Sequence, residues 1–307
     1  IRRTTERLDG LCDTDIAPLY GALSPAEQDA AVKPTKAGRR KIVLATDIAE
    51  SALTIDGVSV VVDSGLCRVP GSGGRGQTQL ITERASKASA DQRRGRAGRL
   101  GPGVCYRLWD EAETRGLSPA PTPEILRAEL SGLVLTLAEW GERDPARLTW
   151  LDPPPPGRLE AARRHLSQLG ALDRDGALTA KGRAMARLPL DPDLAALIVS
   201  AQSPGERALA AQIAALMGER GIGGASSDLA ERLARFKTDT SPRAKALRRQ
   251  ADSWARGAKP EGDPATVLAR GWPDMIARRR APGSTTYLLA SGRAGQLGEP
   301  SPLHPRE

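Results

Sequence analysis

Residues 41–66 read KIVLATDIAESALTIDGVSVVVDSGL, and this stretch decides the fold. It contains two apolar runs, residues 42–45 and 58–62, on either side of a polar crossover. Continuous runs of β-branched and aliphatic residues are typical of parallel strands that are buried on both faces. The stretch therefore predicts an α/β domain built on a parallel sheet.

Polar side chains cluster just beyond the first of these runs: Thr46, Asp47, Glu50, Ser51, Thr54 and Asp56. In open α/β sheets, ligands bind outside the carboxyl ends of the strands. Hydroxyl groups and backbone amides can hold a nucleic-acid phosphate or a ribose, and a carboxylate can accept from a ribose hydroxyl or a metal-bound water. The alternative is an ordinary strand–loop–strand segment whose hydroxyls cap helices.

A second informative stretch is QRRGRAGR at residues 92–99. On a helix, positions 92, 96 and 99 fall on one stripe and align the Gln92 amide with the guanidiniums of Arg96 and Arg99. Arginine presents a planar fork that matches phosphate oxygens, and a glutamine can orient a water, so the stripe suits the γ-phosphate of a nucleotide. The alternative is a basic, glycine-rich tract that is simply solvated.

Small residues at Gly95, Ala97 and Gly98 keep the rest of this helix thin. A thin helix can approach a neighbouring domain closely, which an arginine finger requires.

These stretches resemble known motifs. Residues 45–55 resemble motif V, and residues 92–99 resemble motif VI, of the DEAH/RHA helicases. Residues 19–24, 62–66 and 103–109 extend the similarity, while residues 138–141 (AEWG) and 150–154 (WLDPP) point to the bacterial HrpB-type branch. The resemblance covers essentially the whole chain.

The resemblance implies that three side chains face the γ-phosphate of ATP: Gln92, Arg96 and Arg99. Gln92 would place the attacking water, and the two arginines would stabilise charge in the transition state. The resemblance further implies that Thr54 and Asp56 face the ribose and that Thr46 contacts the nucleic-acid backbone. Relatives often carry Asn at the position of Asp47 and Ala at that of Arg94.

The sequence contains no Gly-x-x-x-x-Gly-Lys-Ser/Thr and no Asp-Glu-x-His. Because the P-loop lysine and the Mg²⁺ ligands supply most of the phosphate cradle, we do not expect the chain alone to hydrolyse ATP. It begins at Ile1, without a methionine. We therefore expect a C-terminal piece of a longer helicase that uses ATP with Mg²⁺, the Mg²⁺ ligands lying in a preceding first RecA-like domain of the same chain.

Charge and length indicate the partner class. At 307 residues the chain is long enough for two to three domains, and its net charge of +8 with a pI near 9.8 favours nucleic acid, although a membrane surface or an acidic partner would fit equally. Aromatic residues make up only 3%, which leaves few base-stacking platforms, so recognition should rely on phosphates. No apolar run approaches the roughly 20 residues of a membrane span. We expect single-stranded RNA, and no membrane, as the partner.

Cysteine and histidine usage does not predict a metal site. Cys12, Cys67 and Cys105 have no metal-like spacing and are typical of buried thiols in a reducing cytoplasm, the expected location. His165 and His304 are far apart in sequence, and we expect structural or surface roles for both.

The chain is predicted to divide into four regions: a second RecA-like domain at 1–114, a winged-helix domain at 115–185, a helical bundle at 186–258, and the truncated start of an HrpB-type C-terminal region at 259–307. The expected fold class is thus an α/β RecA-like domain followed by mostly α winged-helix and helical-bundle domains. A helix capped by Thr122 should carry a core stripe at Leu126, Leu130, Leu133, Leu137 and Trp140. Asp175-Gly176 between short apolar segments predicts the hairpin of the wing. The two alternatives for this domain are binding to a nucleic-acid duplex and packing as a scaffold against the RecA-like part.

In the helical bundle, which in the family flanks the strand, Arg232, Arg235 and Lys237 are candidate contacts to the nucleic-acid backbone; the alternative is a solvated basic face. The loop at residues 71–76 is expected to tip a β-hairpin that projects toward nucleic acid or to be a flexible loop.

The sequence leads to two candidate functions of different class. The first is part of an ATP-dependent RNA helicase, with 3′-to-5′ polarity as the family implies. The second is a basic module that binds nucleic acid without ATP. The two differ in whether Arg96 and Arg99 are needed for ATP turnover.

Overall fold

The computed structural model describes residues 1–10, 14–21, 23–35, 39–51, 55–72, 78–219, 221–224, 226–298 and 303. Two compact units make up the chain. Unit 1 comprises residues 1–71 and 79–127, and unit 2 comprises residues 72–78 and 128–307. None of the helices in the described ranges is long and apolar enough to cross a membrane.

Unit 1 mixes short helices with strands. Its helices are α1 (Arg2–Leu8), α2 (Pro25–Val32), α3 (Ile48–Ser51), α4 (Lys87–Ala97) and α5 (Glu111–Gly116). The strands are β1 (Thr14–Leu19), β2 (Arg40–Ala45), β3 (Val60–Asp63), β4 (Leu66–Ser72), β5 (Thr78–Arg84) and β6 (Val104–Arg107). A 3₁₀ turn follows at Glu124–Leu126.

The strands of unit 1 confirm the predicted parallel pairing. β1 runs parallel to β2 from Thr14 opposite Arg40, and β3 runs parallel to β6 from Val60 opposite Val104. β4 pairs with β5, as the expected hairpin requires, but residues 73–77 at its tip lie outside the described residues. Within the described ranges, β2 pairs only with β1 and β3 only with β6, so the parallel sheet is present as two separate pairs.

Burial of these strands is less complete than continuous apolar runs predict. On β3 and β6, the side chains of Val60, Val62, Val104 and Tyr106 are each at least half exposed. Their neighbours on the opposite face are better covered, and Asp63 is buried. One face of this strand pair is therefore open, because no element of the described part of unit 1 covers it.

Unit 2 is mostly helical. Its helices are α6 (Ser131–Glu139), α7 (Pro156–Gln168), α8 (Ala180–Ala186), α9 (Pro192–Val199), α10 (Pro204–Gly218), α11 (Leu229–Thr238), α12 (Pro242–Ala255) and α13 (Pro264–Gly271). Its strands form the antiparallel sheet β7 (Ala277–Arg279), β8 (Thr286–Leu289) and β9 (Ala294–Gln296). 3₁₀ turns lie at Pro145–Arg147 and Pro273–Met275.

The predicted wing is present in reduced form. Leu172 and Leu178 make a single antiparallel bridge, and Gly176 turns the chain with a φ of +75°, a region that favours glycine. Thr179 then caps α8 by accepting from the Gly182 amide at 2.9 Å. Together with α6 and α7, this hairpin gives the helix–hairpin–helix arrangement of a winged helix.

The predicted long helix from Thr122 to Trp140 is wrong in its first half. Residues Glu124–Leu126 form a 3₁₀ turn, and α6 starts only at Ser131. The Glu129 carboxylate accepts from both the amide and the hydroxyl of Ser131 at the start of α6, where the Ser131 amide has no partner within the helix. Trp140, expected in the core, is 74% exposed at the end of α6.

One apolar cluster forms the core of the helical bundle. It is built on α9, α10, α11 and α12, with Phe236 fully buried at its centre. Val267 of α13 and Trp272 belong to the same cluster, and Trp272 Nε1 donates to the Asp193 carbonyl at 3.2 Å. The apolar cluster of the bundle therefore includes side chains of α13 and of the residue after it.

Candidate functional site

Helix α4 carries most of the predicted γ-phosphate stripe. Ser86 caps the helix by accepting from the Ser89 amide at 3.1 Å, and the helix ends at Ala97. Gln92 and Arg96 thus lie on the helix as predicted, whereas Arg99 follows Gly98, the residue that ends it. Gln92 and Arg99 are exposed, and Arg96 is half-buried.

Arg96 joins α4 to the segment that follows β2. Its Nε and Nη2 donate to the Glu50 carbonyl at 3.2 and 2.6 Å. Two bonds to one acceptor fix the plane of the guanidinium, so a side chain expected to act on a phosphate is already oriented.

Arg93 makes the densest set of contacts on α4, and sequence periodicity did not select it. Its Nε donates to Glu50 Oε2 at 3.0 Å, its Nη2 to Asp47 Oδ1 at 2.8 Å, and its Nη1 to Asp63 Oδ1 and the Leu66 carbonyl, each at 3.0 Å. The side chain is only 14% exposed. Arg93 therefore ties α4 to the segment after β2 and to the turn between β3 and β4.

The acidic partners of Arg93 differ in burial. Asp63 is almost fully buried and also accepts from the Gly65 amide, while its Oδ2 has no partner among the described atoms. Asp47 is 41% exposed, and its Oδ2 accepts from the Arg68 amide at 3.1 Å. Burial by itself lowers the pKa of Arg93, but the hydrogen bond to Asp63 and the charges of Asp63 and Glu50 outweigh it, so the pKa is raised.

A thiol lies next to this cluster. Cys67 follows Leu66 directly, and its Sγ approaches the Arg84 carbonyl at 3.7 Å. Burial raises the pKa of the Cys67 thiol and the charge of Asp47 raises it further, whereas Arg93 opposes the shift. Cys67 and Cys105 are free and half-buried, less covered than predicted, and Cys12 lies outside the described residues.

The backbone at Gly103, just before β6, packs closely against the C-terminal end of α4. A Cβ at position 103 would lie 2.0 Å from the Ala97 carbonyl oxygen. Only glycine allows β6 to begin so close to α4. In contrast, a Cβ at Gly95 would meet no heavy atom of the described residues within 4 Å, so that side of the helix is open to them.

The other predicted residues of unit 1 lie on either side of α3. Thr46 is exposed directly after β2, and its amide donates to the Leu19 carbonyl at 3.2 Å. Asp56 is exposed in the turn before β3. Thr54 lies outside the described residues. Among the described side chains of the segment after β2, those of Glu50 and Asp47 are held against α4 by Arg93.

The three basic candidates of unit 2 separate by environment. The Arg232 Nη2 donates to the Leu216 and Ile222 carbonyls at 3.2 and 3.4 Å, so this side chain holds the end of α10 in place. Arg235 is exposed and paired with Glu231, one turn earlier, at 2.7 Å. Lys237 is exposed. The structure therefore supports a packing role for Arg232 and leaves Arg235 and Lys237 on the surface.

Within the described part of the chain, no group of three or more His, Cys, Asp or Glu side chains is arranged to hold a metal ion. His165 pairs instead with the buried Asp193 at 2.9 Å, which is a structural contact, and His304 lies outside the described residues.

Two domain families match the chain. Residues 2–101 match the helicase conserved C-terminal domain, and residues 162–190 match the winged-helix helicase-associated domain HA2. The first match covers strands β1 to β5 and helix α4 of unit 1, and the second includes the wing of unit 2.

Relatives and solved structures agree with these matches. The chain is 42% identical over 301 residues to the ATP-dependent RNA helicase HrpB of Escherichia coli, covering 97% of this chain and 37% of that protein. It is 41% identical over 199 residues to the pre-mRNA-splicing factor ATP-dependent RNA helicase prp22 of Schizosaccharomyces pombe, covering 64% of this chain and 17% of that protein. A crystal structure of the Escherichia coli DEAH/RHA helicase HrpB superposes with a TM-score of 0.88 at 40% identity, over 99% of this chain and 39% of that one.

The chain therefore spans less than two fifths of the length of these relatives. The predicted RecA-like fold with a parallel sheet, the winged-helix region and the similarity to the HrpB branch are confirmed. The chain belongs to the DEAH/RHA helicases.

Proposed function

We propose that this chain is part of an ATP-dependent RNA helicase, in which it supplies the arginines that act on the γ-phosphate and one of the surfaces that hold RNA. The observation that carries the proposal is the attachment of α4 to the segment after β2 through Arg93 and Arg96. Hydrogen bonds from Arg93 and Arg96 thereby join the helix with the cationic stripe to the segment with the candidate RNA contact.

Each predicted residue has a chemical role in this proposal. Arg96 and Arg99 stabilise the charge that develops on the transferred phosphoryl group, and Gln92 orients the attacking water. Thr54 and Asp56 contact the ribose. The hydroxyl of Thr46 contacts an RNA phosphate, and the exposed Arg235 and Lys237 add phosphate contacts from unit 2.

The proposal also requires groups that the described residues do not provide. Mg²⁺, when bound, would supply positive charge beside the phosphates, and its ligands would come from a first RecA-like domain of the same protein that also carries the P-loop. The open side of α4 at Gly95 and the relatives' greater length support such a neighbour. Cytoplasmic location and 3′-to-5′ polarity belong to the same proposal.

The test is RNA-stimulated ATP hydrolysis by the full-length gene product. We expect Arg96→Ala and Arg99→Ala each to lower turnover by about 10³-fold with little loss of ATP binding. Arg94→Ala is the matched control, because Arg94 lies on the same helix, is 62% exposed and pairs only loosely with Asp91 at 3.6 Å. Wild-type turnover in the Arg99→Ala variant would contradict the proposed role.

The same assay separates the alternative, a basic module that binds RNA without ATP. The net charge of +8 favours binding in either case. RNA binding with a steep salt dependence, together with no ATP hydrolysis by the wild-type full-length protein, would support the alternative. No RNA binding at low salt would exclude both.

A further inference from the structure

Arg93 lies between the two surfaces on which the proposed function depends. On one side it is part of α4, one residue after Gln92 and three before Arg96. On the other side it holds Asp47, the residue next to Thr46, and Glu50, whose carbonyl orients Arg96. A displacement of the segment after β2 is therefore transmitted to the helix through this side chain.

The geometry makes this connection stiff. Arg93 donates four hydrogen bonds, to three carboxylates and one carbonyl, and all of them are between 2.8 and 3.0 Å. The guanidinium is planar, so these acceptors must keep fixed directions relative to one another. Lysine offers a point charge and could not hold all four acceptors in one plane.

The carboxylates of this cluster need a cation to balance their charge, and Arg93 supplies it. One guanidinium faces three carboxylates, and those of Asp63 and Glu50 are 2% and 15% exposed. Buried carboxylates are tolerated when they are paired and hydrogen-bonded. The third, Asp47, is 41% exposed and lies at the edge of the cluster. Asp47 can therefore change its contact with Arg93 while the two inner carboxylates stay paired.

We propose that Arg93 is a positioning residue that couples RNA contact at the segment after β2 to the γ-phosphate stripe of α4, with Asp47 as the link. This inference rests on the proposed function. Arg93 touches neither ligand in this scheme, and its effect reaches the phosphate through Glu50 and Arg96.

The test compares ATP turnover of the full-length gene product with and without single-stranded poly(U) RNA. Asp47→Ala is the main variant, because it removes the hydrogen bond between Arg93 and Asp47 and leaves Arg93 paired with Glu50 and Asp63. We expect the ratio of RNA-stimulated to basal turnover to fall by about fivefold or more. The KM for ATP and the Kd for RNA should stay within about twofold of wild type, because neither ligand loses a direct contact.

Arg93→Gln is the second variant and Arg94→Gln its control, since both remove one positive charge from adjacent positions of the same helix. Arg93→Gln should also lower the ratio, whereas Arg94→Gln should keep it, because the Arg94 side chain is 62% exposed and lies 3.6 Å from Asp91 in an exposed ion pair. If Arg93→Gln does not fold, Asp47→Ala decides alone. Arg93→Lys should restore part of the ratio, because it returns the charge without the planar geometry.

Alkylation of Cys67 by iodoacetamide reports whether the network exists in solution. Removing Asp47 takes away a charge that disfavours the thiolate, so Asp47→Ala should speed the reaction at pH 8. Removing Arg93 takes away a charge that favours the thiolate, so Arg93→Gln should slow it. Simple loosening of the fold would expose the thiol and speed both. Mass spectrometry of the peptide containing Cys67 separates its rate from those of the other thiols.

The outcomes distinguish the two proposals. A normal RNA-stimulated turnover in wild type with an unchanged ratio in Asp47→Ala would overturn the role of Arg93 and leave the proposed function intact. No RNA-stimulated turnover in wild type would overturn both. A lowered ratio together with opposite changes in the Cys67 reaction would establish the coupling.

Discussion

Two glycines at α4 offer the sharpest test of how the helix is packed. At Gly103, a methyl group would lie 2.0 Å from the Ala97 carbonyl oxygen, whereas at Gly95 it would meet no heavy atom within 4 Å in the part of the chain that the structure describes. Atoms in contact keep about 3.5 Å, so Gly103→Ala requires the end of α4 to move by more than about 1 Å. Overpacking of this kind costs about 1–3 kcal/mol. Gly95→Ala should instead stabilise the helix by about 0.5 kcal/mol, because alanine loses less backbone entropy.

Urea unfolding followed by hydrogen exchange of peptides covering α4 measures both changes. With a slope of about 2 kcal/mol per molar, Gly103→Ala should lower the midpoint by about 0.5–1.5 M and Gly95→Ala raise it by about 0.25 M. In the full-length gene product, Gly95→Ala should nevertheless lower ATP turnover, because its methyl group stands on the surface that we propose approaches the neighbouring domain. A Gly103→Ala protein that unfolds at the wild-type urea concentration would refute the packing. Full turnover by Gly95→Ala would refute the close approach.

Three further substitutions test the structure of unit 2. Phe236→Ala should destabilise the bundle by about 3–5 kcal/mol, seen as a lower urea midpoint, because Phe236 is fully buried at the centre of the core; a loss below 1 kcal/mol would contradict that burial. Thr179→Ala should cost about 1 kcal/mol, since it removes the cap of α8, and Thr179→Ser should recover most of it in the same measurement. The pKa of Glu206 is lowered by a hydrogen bond from the Gln202 amide and then by Arg270. The ionised Glu206 therefore stabilises the folded state above about pH 4.3, the pKa of an unfolded glutamate, and this contribution is lost as pH falls through the lower folded-state pKa. The midpoints of wild type and Glu206→Gln should therefore converge at acidic pH, and a gap that widens below pH 4 would show the opposite sign.

Local sequence signals located the main elements of the site but not their contacts. Hydrophobic runs predicted the parallel strands β2 and β3, and helical spacing placed Gln92 and Arg96 on one helix, because both depend on neighbouring residues. Arg93 was passed over because its partners Asp47 and Asp63 are 46 and 30 residues away. The sequence does hold one signal: Asp47 follows β2 and Asp63 ends β3, the next strand along the chain, and buried carboxylates favour a cationic partner.

Hydrophobic periodicity also predicted too long a helix at residues 126–140, because one apolar pattern is compatible with two structures. The 4-3-4-3 spacing from Leu126 to Trp140 is satisfied by a 3₁₀ turn followed by the shorter helix α6. The hydrogen bond from the Ser131 amide to the Glu129 side chain marks the start of α6, and apolar spacing does not predict it. Similarly, a basic composition could not tell Arg232, which holds backbone carbonyls of unit 2, from the exposed Lys237 five residues later.

The separation of the parallel strands into two pairs has a practical consequence for preparing this chain. β2 and β3 each carry one side along which no described strand pairs, and the apolar side chains of β3 and β6 are exposed beside it. Unpaired strand edges flanked by apolar surface are templates for edge-to-edge association. We expect concentrated solutions of the isolated chain to become turbid through β-sheet oligomers that bind thioflavin T. A charged side chain at an outward position of β3, as in Val62→Lys, should delay turbidity, because lysine on an exposed edge blocks such pairing.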